Sequence, residues 1–214
     1  MNPLSSIHTP FPEKFGIPRQ SMLVSEAKGL IKFPSNQFYQ EAFRGIENSS
    51  HLWLIFGFHL IKEDNFNGLV RPPRFQGKKK MGVFATRSPH RPNKLGLSVV
   101  KFESIQYLDD EIILEVSGVD MADGSPIYDI KPYVPYTDSI EATTIFDKQE
   151  HYEVKWNCDK VDEASLIEKI ISLDPRPQHD KASSEEYGVS IAGFNVRFRF
   201  LVTYFEIISA IRIK

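Results

Sequence analysis

The chain has 214 residues, 41% hydrophobic and 25% charged, a composition that supports one compact domain or a main domain with a small appendage. Its longest apolar run, residues 52–58, falls far short of the roughly twenty residues that cross a bilayer, and the opening MNPLSSIHTPFPEKFG carries prolines and a glutamate where a secretory signal needs an apolar segment. Net charge is only −2 and a single cysteine, Cys158, excludes an internal disulfide or a thiolate metal site built from one chain, so a cytoplasmic protein with no membrane segment is expected.

In chain order, the first predicted element is a helix over residues 37–45, with Ser35 and Asn36 as candidate caps. Strands are expected at 51–60, 82–86, 97–107 and 111–118, each rich in β-branched and aromatic residues and bounded by Gly, Pro, Asn or Asp. After KPYVPY the composition shifts over 136–147. That shift suggests a strand-rich body at 1–140 and a C-terminal unit of helix plus hairpin at 141–214. In the second part a strand is expected at 152–156 and a helix at 161–173, with Leu166, Ile170 and Leu173 on one stripe ahead of Asp174-Pro175. Strands at 194–202 and 205–213 follow. In the first of them Val196, Phe198, Phe200 and Val202 alternate with Arg197, Arg199 and Leu201, the pattern of a half-buried strand. The turn between the two, residues 201–204, contains none of the Gly, Asn or Asp that a tight hairpin favours, and its register is left open.

Charge is segregated along the chain. From Asn65 to Phe102 there is no Asp or Glu, while Arg71, Arg74, Lys78, Lys79, Lys80, Arg87, Arg91, Lys94 and Lys101 all fall inside. A local positive field of this kind survives a near-neutral total and suits a polyanionic partner. Within it the run 81–96, MGVFATRSPHRPNKLG, reads as a strand entering a stiff cationic loop. Pro89 and Pro92 limit φ there, so Arg87 and Arg91 are held ready for planar contacts to carboxylate or phosphate. On composition alone a solvated basic loop is the stronger reading.

A second motif, VDMADGSPIYDIKPYVPY at 119–136, carries Asp120, Asp123 and Asp129 around an Asp-Gly turn. Such carboxylates either bond nearby backbone N–H groups or receive a ligand's hydroxyl and ammonium groups. GIPRQ at 16–20 reads by itself as an ordinary loop. No G-x-G-x-x-G and no Walker A sequence is present, and the histidines at 8, 51, 59, 90, 151 and 179 lack both i, i+4 pairing and cysteine partners. A dinucleotide fold, a phosphate-binding P-loop and a zinc site are therefore not expected.

Together these segments resemble the TsaA-like (TrmO-type) β-barrel methyltransferases, which N6-methylate threonylcarbamoyladenosine, the modified adenosine just 3′ of the anticodon in threonine tRNA. The resemblance is carried by residues 14–20, by 42–60 with FRGIENSSHLWLIFGFHL, by VRPPRFQG at 70–77, by MGVFATRSPHRPNKLG and by VDMADGSPIYDIKPY. It resumes in DPRP at 174–177 and FNVRFR at 194–199, and is weakest over 137–173. It implies a mainly β protein with some helix, in which a small non-Rossmann barrel binds S-adenosylmethionine and a small C-terminal α+β unit is appended. It also implies a homodimer and a tRNA substrate.

Carried over by position, the resemblance implies cofactor contacts at Pro18, Arg19, Gln20, His59, Leu60, Arg87, Leu97, Ser117, Gly118, Val119 and Asp120. An arginine can hold the methionine carboxylate, and Asp120 can accept from ribose hydroxyls or the α-ammonium. The basic run from Arg71 to Lys94 would then meet tRNA phosphates. Leu60 departs from the family pattern, standing where a polar residue often follows the histidine; Gly193 and Phe198 replace an acidic residue and a tryptophan.

Methyl transfer from a sulfonium demands mainly positioning, which supplies up to about 7–11 kcal/mol in favourable models. The implied acceptor is a urea-like nitrogen of low basicity, so a group that assists loss of its proton is expected. His59 and Asp129 are the two candidates, and the sequence does not choose between them. The competing reading is a non-enzymatic module that binds RNA or a small ligand and senses it through the same basic loop.

Overall fold

A computed structural model describes residues 1–62, 68–72, 80–144, 149–176 and 185–213. They form two compact units, one of Met1–Pro12, Pro18–His59 and Leu95–Thr143, the other of Glu13–Ile17, Leu60–Lys94 and Thr144–Lys214. The long connection 60–94 thus groups with the C-terminal residues although it interrupts the first unit in sequence.

The first unit is built on β1 (Ser5–His8), β2 (Lys28–Pro34), β3 (His51–Gly57), β6 (Leu95–Tyr107), β7 (Glu111–Ser117) and β8 (Ser125–Pro132); the two-residue β4 (Leu69–Val70) and β5 (Met81–Gly82) fall in the connection between β3 and β6. The six strands close into a barrel in the order β1-β2-β7-β6-β3-β8, every neighbour antiparallel. Alternation fills the interior. Ile31 and Phe33 on β2, Leu52, Leu54 and Phe56 on β3, and Ile112, Leu114 and Val116 on β7 all point inward and are almost fully buried. Closure also leaves no strand edge unpaired.

Because all six strands are antiparallel, successive connections alternate between the barrel's two ends. Residues 9–27, 58–94 and 118–124 leave from one end, and 35–50 and 108–110 from the other. The far-end connection carries α1 (Gln37–Ala42), shorter than expected but capped as expected: the Asn36 side chain accepts the Tyr39 N–H at 3.0 Å. Phe43 caps its C-terminus, and Gly45, at φ 88, leads into the 3-10 turn Ile46–Asn48. A last short helix of this unit, α2 (Pro135–Asp138), follows β8.

The second unit contains β9 (Glu153–Trp156), α3 (Ala164–Ser172), β10 (Glu186–Ile191), β11 (Phe194–Leu201) and β12 (Tyr204–Arg212). The sheet order is β10-β11-β12-β9, with β9 parallel to β12, so the expected hairpin is the centre of a four-stranded sheet. Helix α3 buries Leu166, Ile167, Ile170 and Ile171, and Phe198 is fully buried, which makes it a packing residue. The unsignalled turn between β11 and β12 closes in register, Leu201 opposite Tyr204, with Val202 at φ 57 in the place a glycine would take more cheaply. Asp174 and Arg176 form a buried ion pair at 2.8 Å, the guanidinium lying 4.3 Å from the Phe200 ring centroid.

The expected strand at 82–86 is corrected. Only Met81–Gly82 pairs, with Leu69–Val70, and Val83–Ala85 turns into a 3-10 helix. The Val83 carbonyl accepts the Thr86 N–H (3.1 Å), the Thr86 hydroxyl (2.9 Å) and Arg91 Nη1 (3.3 Å), so local donors take the acceptor that a longer ladder would have used. Among the described residues no helix is long and apolar enough to cross a membrane.

Candidate active site at one end of the barrel

The connection 118–124 organises this end of the first unit. β7 stops at Ser117, and Gly118 enters the left-handed region at φ 77, where a Cβ would stand 2.4 Å from Met22 Sδ. The Met22 N–H donates to the Gly118 carbonyl at 2.9 Å, and Met22 itself sits at φ 64. Two residues before it, the Gln20 amide donates to the Arg19 carbonyl. Pro18 is buried, with Arg19 and Gln20 half-buried behind it. The Val119 N–H donates to the Ala27 carbonyl at 3.2 Å, and Val119 is 1% exposed. The predicted stretches 18–20 and 117–120 are therefore brought together through Met22.

The other end of the same connection holds His59. Its Nδ1 lies 3.3 Å from the hydroxyl of Ser125, a residue 2% exposed at the start of β8. A Cβ on Gly124 would stand 3.8 Å from His59 Nε2, so the absence of a side chain there leaves that ring nitrogen approachable. Leu97, by contrast, projects from the outer face of β6 opposite Ile55 and is 57% exposed.

The three aspartates have separate fates. Asp123 accepts the Thr9 N–H at 2.9 Å and fastens the connection to the end of β1. Asp129 is exposed on β8 opposite Ile55, and its carboxylate accepts the Ile130 N–H at 2.9 Å. Asp120 is half-buried, with one carboxylate oxygen wholly buried beside Val119 and Met121. Asp129 lies four residue steps along β8 from Ser125, about 13 Å of strand, so the two candidate proton acceptors do not share one position on the barrel.

Leu60 and Arg87 belong to the second unit. Arg87 is exposed on the cationic loop. The loop is stiffened more by its polar side chains than by its prolines alone: Thr86 Oγ1 accepts the Ser88 N–H (3.3 Å), the Ser88 hydroxyl accepts the His90 N–H (3.2 Å), and Arg91 donates to the Thr86 carbonyl at 2.9 Å. Arg91 is thus part of the loop's own framework, with Phe84 beneath it at 5.8 Å. Arg74, Lys78 and Lys79 lie outside the described residues.

Two family models match the chain from end to end, the tRNA-methyltransferase O N-terminal domain over residues 6–139 and the TrmO C-terminal domain over 142–212. The chain belongs to the TrmO family. A relative from Escherichia coli K12, a tRNA (adenine(37)-N6)-methyltransferase, is 35% identical over 94% of this chain and 93% of its own length. Another from Pseudomonas aeruginosa, a putative S-adenosylmethionine-dependent methyltransferase, is 36% identical over 94% of this chain and 92% of its own. A crystal structure of TrmO from Pseudomonas aeruginosa superposes with a TM-score of 0.78 at 31% identity, covering 98% of this chain and 97% of that one.

Within this TrmO-family barrel, the sequence pattern marks neither Met22 nor Ser125. Ser125 stood in plain view inside DGSP, hidden by attention to the carboxylates on either side. Met22 has no local signal, since its bond to the Gly118 carbonyl depends on a left-handed backbone bend.

Proposed function

We propose that this protein is an S-adenosylmethionine-dependent tRNA methyltransferase that methylates N6 of adenosine 37. The observation that carries the reading is the 118–125 segment, which ties residues 19–22 and the His59 imidazole to one end of a closed, non-Rossmann barrel in a chain that matches TrmO relatives over nearly its whole length. The donor set fits a zwitterionic amino acid joined to a nucleoside. Arg19 offers a cation for a carboxylate, Asp120 an anion for an ammonium or ribose hydroxyls, and the turned backbone at Gly118 offers directed polar groups. Pro18, Gln20, His59, Leu97, Ser117 and Val119 complete the proposed contacts within the first unit.

When bound, S-adenosylmethionine supplies a methyl group on a positively charged sulfur. The chain's task is to orient the acceptor nitrogen and remove its proton. His59 suits the second role better than Asp129. In the tautomer whose Nδ1–H donates to Ser125 Oγ, Nε2 keeps its lone pair beside Gly124 and can serve as the acceptor. The finer substrate proposed is threonylcarbamoyladenosine in threonine tRNA, and the setting the cytoplasm. A homodimer is also proposed, supported by apolar residues on the outer face of β3 and β6, where Ile55 pairs with Leu97 and Trp53 with Val99.

Purified protein is expected to transfer label from methyl-labelled S-adenosylmethionine to bulk tRNA, more to tRNA that carries the threonylcarbamoyl group than to tRNA that lacks it. Binding of both without transfer would establish the sensing module instead. Sedimentation of the purified chain as a monomer at micromolar concentration would remove the homodimer.

A further inference from the structure

We propose that Glu103 is a positioning residue for the cofactor, its carboxylate directed at β7 by a bulge in β6 so that it holds the Ser117 hydroxyl and, through it, the shape of the 117–120 backbone. The proposal rests on the reading that this stretch holds S-adenosylmethionine.

The bulge is visible in the register. Lys101 pairs with Ser117 and Phe102 with Val116, but Ser104 pairs with Glu115, so Glu103 has no partner on β7. An extra residue of this kind bends the strand and re-aims its side chain. Here the Ser117 hydroxyl donates to Glu103 Oε1 at 2.6 Å, and Lys101 Nζ donates to both carboxylate oxygens at 3.0 Å. A hydroxyl-to-carboxylate bond that short is charge-assisted. It also holds the Glu103 carboxyl below the usual carboxylate range, with Lys101 as the next cause.

Ser117 is 2% exposed although Glu103 itself lies at the surface, so the carboxylate is what meets the hydroxyl on its solvent side. The hydroxyl is committed to the outer face of the barrel, which leaves the backbone of Ser117 as the part that can meet a ligand. The next residue is Gly118 at φ 77, locked against Met22, and then Val119, tied to Ala27. Ser117 is the hinge point between a regular strand and that turned segment, and Glu103 holds its hydroxyl while Met22 holds the Gly118 carbonyl. Nothing in the sequence pattern marks the pair, which stand 14 residues apart.

The test uses the full chain and calorimetric titration with S-adenosylmethionine, with melting temperature measured in parallel. Glu103→Ala and Ser117→Ala are each expected to weaken binding about tenfold. The double variant is expected to be no weaker than either, because both remove the same bond. Glu103→Gln keeps an oxygen acceptor and is expected to recover most of the affinity. In turnover the KM for the cofactor rises while kcat at saturation holds. Affinities within twofold of wild type in Glu103→Ala, or losses that multiply in the double variant, would overturn the proposal and leave a structural contact only. If Glu103→Ala does not fold, Ser117→Ala against Glu103→Gln decides on the same criteria. A wild-type chain that gives no binding signal refutes the cofactor reading itself, an outcome distinct from variants that bind as wild type does.

Discussion

At the scale of single residues, the chemistry depends on which group takes a proton and which merely fastens a loop. His59 has a buried hydroxyl to orient its ring, whereas Asp129 spends its carboxylate on the next backbone N–H. His59→Gln is expected to lower kcat at saturating cofactor by about 10²–10⁴-fold, and Asp129→Asn to change it much less; the reverse ranking in a single-turnover assay would reassign the base. Asp138 offers a pH test. The Val134 N–H and the Trp53 indole N–H, each at 2.9 Å, hold its carboxyl below the ordinary value. A depressed folded-state value contributes stability above the unfolded-state value, and that contribution is lost as pH falls through the folded one. The melting temperature of Asp138→Asn should therefore depend less steeply on pH between about 5 and 3 than that of wild type. The individual roles were the least legible part of the sequence, because Asp120, Asp123 and Asp129 look alike as letters and differ only in what each one faces once the chain is folded.

Elements were easier to read, and the failures have a common cause. β3, β6, β7, β11 and β12 announce themselves through alternating β-branched and aromatic residues, and each is present. β2 was missed because Lys28, Gly29, Lys32 and Pro34 dilute its inward-facing Ile31 and Phe33. β8 was missed because Pro126, Pro132 and its aspartate interrupt the β-branched pattern, although closure of the barrel needs it between β1 and β3. Pattern reading sees one strand at a time, while closure is decided by all six. The barrel's tolerance is narrow where strands approach closely: a Cβ on Gly96 would meet the ring of Phe56 at 2.3 Å, and that ring is 2% exposed with no room to retreat. Gly96→Ala is expected to destabilise the chain by about 1–3 kcal/mol, measurable as a lower urea midpoint with an unchanged slope.

For the whole molecule, charge distribution matters more than charge total. A chain of net charge −2 is not an obvious partner for a polyanion, yet the acid-free window from Asn65 to Phe102 concentrates its cations in one stretch. If Lys80 meets a phosphate, Lys80→Ala should raise the tRNA KM uniformly across sequences and reduce the slope of log affinity against log salt by about 0.9. A slope equal to that of wild type would remove Lys80 from the interface. The family and the broad architecture were legible because the motifs run nearly the length of the chain. The grouping of 60–94 with the C-terminal residues was not, since the whole stretch Leu95–Thr143 separates the two in sequence.

The alternation of connections between the two barrel ends divides the chain's freedom to vary. Every connection proposed to bind or react within the first unit leaves from one rim, and the short turn at Asp109 and Asp110 belongs to the other. A peptide tag or fluorescent reporter spliced into that turn should leave cofactor affinity untouched, giving a handle for immobilising or tracking the molecule from the side that does no chemistry.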